Sequence, residues 1–158
     1  MLIKQFVDED FINYKAPCMF IGMPSCSMKC EVDGKFICQN RKLLEEPNHE
    51  VTSTDLILRY ISNPITSAIV FGGLEPLDSF DDLVHFIMAF RYQSDDPVII
   101  YTGYNEDEVK DKIEQLSEYS NIIVKFGRYI PGQTPHYDEV LGVNLASNNQ
   151  YAVKISRQ

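Results

Sequence analysis

The sequence predicts an α/β fold built on a mainly parallel sheet, and three observations carry that expectation. Short runs rich in β-branched and aromatic residues alternate with longer stretches of helical periodicity. The central strand candidates start at intervals of about 50, 30 and 24 residues, which suits strand–helix–strand crossovers. Glycine follows three of these strands directly, at Gly72, Gly103 and Gly127. The chain has 158 residues, which at roughly 100–200 residues per domain predicts a single domain over 1–158.

The elements follow in order. Residues 2–7 form a first strand candidate and residues 16–22, APCMFIG, a second. A polar segment over 23–50 then carries three of the four cysteines. Thr52 or Ser53 can N-cap a helix running to about residue 62, with Leu56, Tyr60 and Ile61 on one face. Asn63-Pro64 ends it, because proline disfavours helix at the residue before it. Residues 67–71 form a strand that runs into Gly72-Gly73. Ser79 can cap the next helix, Asp81 and Asp82 suit its first turn, and Leu83, Phe86, Ile87 and Phe90 make its apolar stripe. Residues 97–102, PVIIYT, read as a strand. Asn105 caps a third helix with Glu106, Asp107 and Glu108 at its positive end and Val109, Ile113 and Leu116 on its buried face. Residues 121–126 are a further strand. Pro131-Gly132 and Pro135 predict a loop, and residues 150–155 a final strand.

Composition excludes several classes of function. A net charge of −9 argues against non-specific binding to a nucleic-acid backbone, which needs a basic surface. No apolar run reaches the roughly 18–20 residues that span a bilayer, so no membrane partner is expected. The start, MLIKQFVDED, lacks the basic flank and apolar stretch of a signal peptide, and the expected location is cytoplasmic. Thiols stay reduced there, so clustered cysteines read as metal ligands or catalytic groups.

Cys26, Cys30 and Cys38 have the spacing C-x3-C-x7-C and share the loop after one strand. In parallel α/β folds ligands sit beyond the carboxyl ends of the strands, where this loop lies. Cys18 sits inside the strand and reads as a buried core thiol. From spacing alone three readings of the thiols stand: a [4Fe–4S] cluster with one iron open, a zinc site completed by His49, or three unrelated thiols. Asp33-Gly34 provides a turn for a sub-loop within the long second gap. Gly72-Gly73 permits close backbone approach to a ligand or simply makes the strand-to-helix turn. His85 reads as structural and His136 as an exposed loop residue.

The order of these features resembles the radical S-adenosylmethionine (SAM) superfamily, and within it the small activating proteins of anaerobic ribonucleoside-triphosphate reductase. Cys26, Cys30 and Cys38 follow the first barrel strand, like the family's C-x3-C-x2-C, with Ile37 before the third cysteine. Cys38-Gln39-Asn40 is similar to the Cys-His-Asn of glycyl-radical activases. Gly72-Gly73-Leu74-Glu75-Pro76 resembles Gly-Gly-Glu-Pro, and Tyr101-Thr102-Gly103-Tyr104 ends a strand as in the reductase activases. Phe126-Gly127-Arg128-Tyr129 resembles Asp-Gly-Lys/Arg-Phe, and Ser147-Asn148-Asn149-Gln150 a terminal Ser-Asn-Gln tract. Three features depart from the pattern: the seven-residue second gap, the inserted Leu74, and Phe126 in place of aspartate.

The resemblance implies a partial (βα) barrel with mainly parallel strands, radical SAM type, whose cluster loop spans 23–40. It implies that Cys26, Cys30 and Cys38 hold a [4Fe–4S] cluster and are the catalytic set. Ile37, Asn40, Gly72, Gly73, Glu75, Thr102 and Arg128 would bind or surround SAM, with Arg128 pairing with the SAM carboxylate. Implied partners are a glycyl radical enzyme, namely anaerobic ribonucleotide reductase, and an electron donor such as flavodoxin. The alternatives are a radical SAM enzyme for another glycyl radical enzyme or a small molecule, and a non-enzymatic zinc-binding or degenerate α/β interaction module.

Overall fold

The computed structural model describes residues 1–157, apart from the side chains of Glu31 and Val32; Gln158, the end of the expected domain, lies outside it. Six strands and three helices make the frame: β1 (Gln5–Asp10), β2 (Cys18–Met23), α1 (Ser53–Ile61), β3 (Ile69–Gly73), α2 (Phe80–Arg91), β4 (Val98–Tyr101), α3 (Lys110–Leu116), β5 (Ile122–Phe126) and β6 (Tyr151–Lys154). The sheet order is the chain order, β1 to β6. β2, β3, β4 and β5 are parallel to one another, and β1 and β6 pair antiparallel at the two edges. The fold is therefore α/β with a mixed sheet and a (βα) core. The sheet is open: β1 and β6 are its edges and do not pair.

Each parallel crossover joins neighbouring strands, and crossovers of one hand put their helices on one face. The core confirms that placement. Met19, Ile21, Ile69, Phe71, Val98, Ile100, Ile122 and Val124 pack with Leu56, Tyr60, Leu83, Phe86, Ile87 and Leu116. Alternation along the strands sends Cys18, Val70, Ile99 and Ile123 to the opposite face, where Tyr14, Leu141 and Leu145 cover them. All the loops that leave β2, β3, β4 and β5 emerge at one carboxyl edge, and the helices hold that edge from behind.

The structure corrects several sequence expectations. The first strand divides: Leu2–Ile3 pairs with His49–Glu50, and Gln5–Asp10 forms the edge strand. In α1, Thr52 is the cap, its side chain accepting from Asp55 N at 3.0 Å. Leu56 and Tyr60 are buried as expected, but Ile57 completes that face one turn before Ile61, which is exposed. Ser79 makes no capping bond; a 3-10 turn over Pro76–Ser79 precedes α2 instead. The expected loop after Gly127 contains a hairpin, His136–Asp138 with Val143–Leu145. Among the described residues no helix is long and apolar enough to cross a membrane.

Phe86 is the centre of the helix-side core. It is fully buried, meets Phe71 edge-on at 5.1 Å between centroids, and stacks on Phe90 at 6.1 Å. Phe86→Ala removes both aromatic contacts and leaves a cavity, and the expected loss is about 3–5 kcal/mol, read as a lowered midpoint in urea unfolding.

Candidate metal centre at the carboxyl edge of the sheet

The cysteine loop leaves β2 at Met23. Cys26, Cys30 and Cys38 are half-buried free thiols. The backbone shapes the long second gap into a two-stranded hairpin, Glu31–Val32 with Lys35–Phe36. Asp33 and Gly34 turn it with φ of 52° and 72°, the left-handed values that such turns need. Ile37 N donates to Cys30 O at 3.0 Å and closes the base. Cys30 and Cys38 therefore flank the two ends of one hairpin. Two sulfurs already accept backbone hydrogen bonds, Cys26 from Met28 N and Cys38 from Asn40 N, both at 3.3 Å. Such bonds favour the thiolate over the thiol.

The loop is pinned to the ends of β3 and β4. Glu75 N donates to Ser25 O at 3.0 Å, and Ser27 N donates to Asp78 Oδ2 at 2.6 Å. Tyr104 OH donates to Asp78 Oδ1 at 2.7 Å and lies 3.0 Å from Ser27 Oγ. The Lys29 ammonium sits 4.8 Å from the Tyr104 ring centroid, a cation–π contact. On the other side of the loop Asn40 Nδ2 donates to Gly73 O at 2.6 Å. Asn40 precedes a short helix, Arg41–Glu45, and makes no side-chain cap there. Gly73 has φ of +78°, and a Cβ on it would lie 2.7 Å from Leu43 Cδ2 and 3.2 Å from Gly22 Cα. The second glycine of the pair thus lets the segment after Cys38 lie against the sheet.

Glu75 is 7% exposed, so it is no solvated loop carboxylate. Oε1 accepts from Leu77 N at 3.0 Å and Oε2 from Gly103 N at 2.8 Å. Thr102 is buried beside it, and its Oγ1 accepts from Tyr104 N at 3.0 Å. Arg128 holds Glu108 in a two-pronged pair, 2.9 Å at each nitrogen, and its guanidinium lies 5.6 Å from the Tyr104 centroid. Arg128 and the backbone N–H of Asn105 hold the Glu108 carboxyl down at about 2.

Electrostatics divide the thiols. Burial pushes both Cys26 and Cys30 up. Glu75 presses further on both, Asp78 on Cys26 and Cys38 on Cys30, whereas Arg128 and Lys125 oppose the rise at Cys30. Cys18 is fully buried, donates to Asp10 O at 3.5 Å, and is pushed up to about 12 by burial. That makes it an inert core thiol. The donor set fits an iron–sulfur cluster in its chemistry: three soft sulfurs on one loop, two of them with N–H donors, beside two cations. Among the described residues no three His, Cys, Asp or Glu side chains converge closely enough to hold a metal ion.

Cys26, Cys30, Cys38, Ile37, Asn40, Gly73, Glu75, Thr102 and Arg128 thus lie along one edge, without the three thiols converging on one point. Gly72 sits one position before Gly73 on the opposite face, where a Cβ would meet Phe20 at 3.1 Å. His49 lies exposed in the strand pair with Ile3, and the zinc reading gains no ligand from it. His85 is exposed on α2, and His136 Nε2 donates to Gln150 O at 2.6 Å. Sequence reasoning missed Lys125, which is 7% exposed in β5. Its signal was present: a lysine in the apolar run IIVKF.

Two measurements follow. Gly73→Ala places a side chain where φ and Leu43 forbid it, costing about 1–3 kcal/mol and lowering iron uptake; thermal melts and iron analysis check it. Burial lowers Lys125 from 10.5 to about 8. The unfolded chain therefore binds that proton more tightly, and stability of the metal-free chain rises from pH 8 to about 10.5. The gap corresponds to about 3 kcal/mol. Lys125→Met removes the buried charge and should raise the melting temperature at pH 7, because Gly127 O keeps its bond from Gln150 Nε2 at 3.2 Å.

Comparison with known proteins matches residues 18–151 to a family model described as a 4Fe-4S single cluster domain. No curated protein and no solved structure matches the chain. The match begins at the first residue of β2, ends at the first of β6, and contains all three loop thiols. The chain belongs to the 4Fe-4S single cluster domain family.

Proposed function

We propose that the protein is a radical SAM activase that reductively cleaves SAM and generates a glycyl radical on anaerobic ribonucleotide reductase. One juxtaposition carries the reading. Cys26, Cys30 and Cys38 after β2, Gly72-Gly73 at the end of β3, and Thr102-Gly103 after β4 occupy one carboxyl edge, in the order that radical SAM activases have. A cluster held by three cysteines leaves one iron open, and in this chemistry it supplies the electron that breaks the S–C5′ bond of SAM to give a hydrogen-abstracting 5′-deoxyadenosyl radical.

The chain's own groups would do the rest. Cys26, Cys30 and Cys38 ligate; Met28 N and Asn40 N steady two of the sulfurs. Glu75 fixes the β3 and β4 turns, so its role is positioning through Leu77, Gly103 and Ser25. Gly73 and Asn40 hold the segment after Cys38 against the sheet. The open sheet leaves a side from which a partner's segment can approach, which suits a macromolecular substrate. The reductase, the flavodoxin-type donor, the single-domain span 1–158 and the cytoplasmic location belong to this proposal.

The separation of the three thiols favours a second reading, in which the domain has 4Fe-4S ancestry but acts on another substrate or serves as an interaction module. Anaerobic reconstitution decides between them. The expected result is about four irons per chain, a broad visible band, and conversion of SAM to methionine and 5′-deoxyadenosine with a reductant. Cys38→Ala should lose the band and the cleavage. Iron loading without SAM cleavage would support the second reading. Zinc in place of iron, with no visible band, would sink both iron readings.

A further inference from the structure

The cysteine loop leaves β2 at Met23 and returns through the short helix Arg41–Glu45, so its outgoing and returning limbs meet at a neck. One residue spans that neck. Lys4 stands in the bend between Leu2–Ile3 and β1 and is 9% exposed. Its backbone N–H donates to Gly22 O at 2.7 Å, beside the point where the loop departs. Its Nζ donates to Leu44 O at 3.4 Å and to Glu46 O, where the loop comes back. The residues around Lys4 strengthen the link. Ile3 is buried and pairs with His49, and Val51 N donates to Met1 O at 3.0 Å.

The carbonyls that Lys4 takes are ones the short helix cannot satisfy. The last carbonyls of a helix have no intrahelical partner, and in a helix of 5 residues they are most of its length. Glu46 N reaches Leu43 O at 3.3 Å; Leu44 O and Glu46 O go to Lys4. A lysine ammonium suits this end of a helix, by hydrogen bonding and by charge. Asn40 and Leu43 already fix the front of the returning limb on Gly73. Lys4 fixes its rear. Cys38 therefore lies between the base of the hairpin and a limb fastened at both ends.

We propose that Lys4 is a positioning residue for Cys38: by bridging Gly22 to Leu44 and Glu46, it keeps the two limbs of the cysteine loop together and Cys38 within reach of Cys26 and Cys30. The inference rests on the cluster reading of the proposed function. The three thiols do not converge on one point, so ligating one cluster requires the loop to close further. Closing a loop costs chain entropy, and a loop whose neck is already fastened has less left to lose. Lys4 lies before the stretch 18–151 that matches the family model, and it acts on Cys38 through the backbone of the returning limb.

The test labels metal-free protein anaerobically with N-ethylmaleimide and reads the rate at each cysteine by peptide mass spectrometry. Lys4→Met keeps an unbranched stem and removes the ammonium. Losing a hydrogen bond from a charged donor shifts a local equilibrium by about 10-fold or more, so Cys38 should label about that much faster, with the Cys26 rate unchanged. Lys4→Arg should restore slow labelling of Cys38, and Lys154→Met, at an exposed lysine of β6, should label as wild type does. After reconstitution with iron and sulfide, Lys4→Met should lose iron to a chelator about 10-fold faster than wild type. Lys4→Gln, which keeps one donor, carries the same comparisons if Lys4→Met does not fold. An unchanged Cys38 rate overturns the assignment. So does equal acceleration at all three loop thiols with a lowered melting temperature, which marks a general loss of stability. A wild type that takes up no iron overturns the cluster reading and leaves the labelling result standing, so the two failures are told apart.

Discussion

A single buried carboxylate holds the carboxyl edge of this sheet together. Glu75 receives Leu77 N and Gly103 N on its two oxygens, and its own backbone N–H reaches Ser25 O. Those three bonds tie the cysteine loop, the turn after β3 and the turn after β4 to one residue. Burial pushes the carboxyl above its usual range, against the pull of the two amides and Thr102. A buried carboxylate is costly unless its lone pairs are filled. Here the filling groups are strand-end amides whose positions the sheet already sets. The carboxylate thus converts the register of β3 and β4 into the position of a loop that has no regular structure until its hairpin.

Charge is arranged around that strut in two halves. Glu75 presses on both Cys26 and Cys30 and Asp78 on Cys26, while Lys125 and Arg128 act against them on Cys30. A chain of net charge −9 has thus gathered cations at the one edge where three thiolates would add negative charge. The aromatic ring of Tyr104 stands between Lys29 and Arg128 as a neutral face for both. Through its hydroxyl the same ring reaches Asp78, which holds Ser27 N between Cys26 and Cys30. Loop position and loop electrostatics are therefore set by the same side chains, and a change to one moves the other.

Much of the frame was legible in the sequence because it obeys local rules. The β-branched strands, the Thr52 cap and the Leu83/Phe86/Ile87/Phe90 stripe each declare themselves within a few residues. What the sequence hid depends on distant partners. The division of the first strand needs His49–Glu50 to pair with Leu2–Ile3, and the hairpin over His136–Leu145 is held by Asp138, which accepts from Leu141 N and Ala152 N. In the candidate site, the thiols, the glycine pair and Glu75 stand out by order and spacing. The role of Glu75 was not, since only the fold brings Gly103 N to its carboxylate. Arg128 was expected to pair with a ligand carboxylate, and no local pattern shows that Glu108, twenty residues away, takes both its nitrogens. Lys125 was visible as a residue but not as a site residue, because only the fold sets it beside Phe20, Tyr101 and Asn40 in one groove.

The seven-residue gap between Cys30 and Cys38 is the plainest departure from the spacing of radical SAM proteins, and the fold shows how a loop can absorb it. An insertion that remained irregular would add chain entropy and leave Cys38 free to wander. This one folds on itself, with a left-handed turn at Asp33-Gly34 and the Ile37 N to Cys30 O bond at its base. The extra residues then project from the loop as a unit, and the chain re-enters beside the point it left. Beyond the base, Asn40 and Leu43 dock on Gly73, so Cys38 is held from both sides, by the hairpin before it and the sheet after it. A short spacing is one way to keep two cysteines of a loop near each other; a closed hairpin is another, and here it sets Cys30 and Cys38 at its two ends.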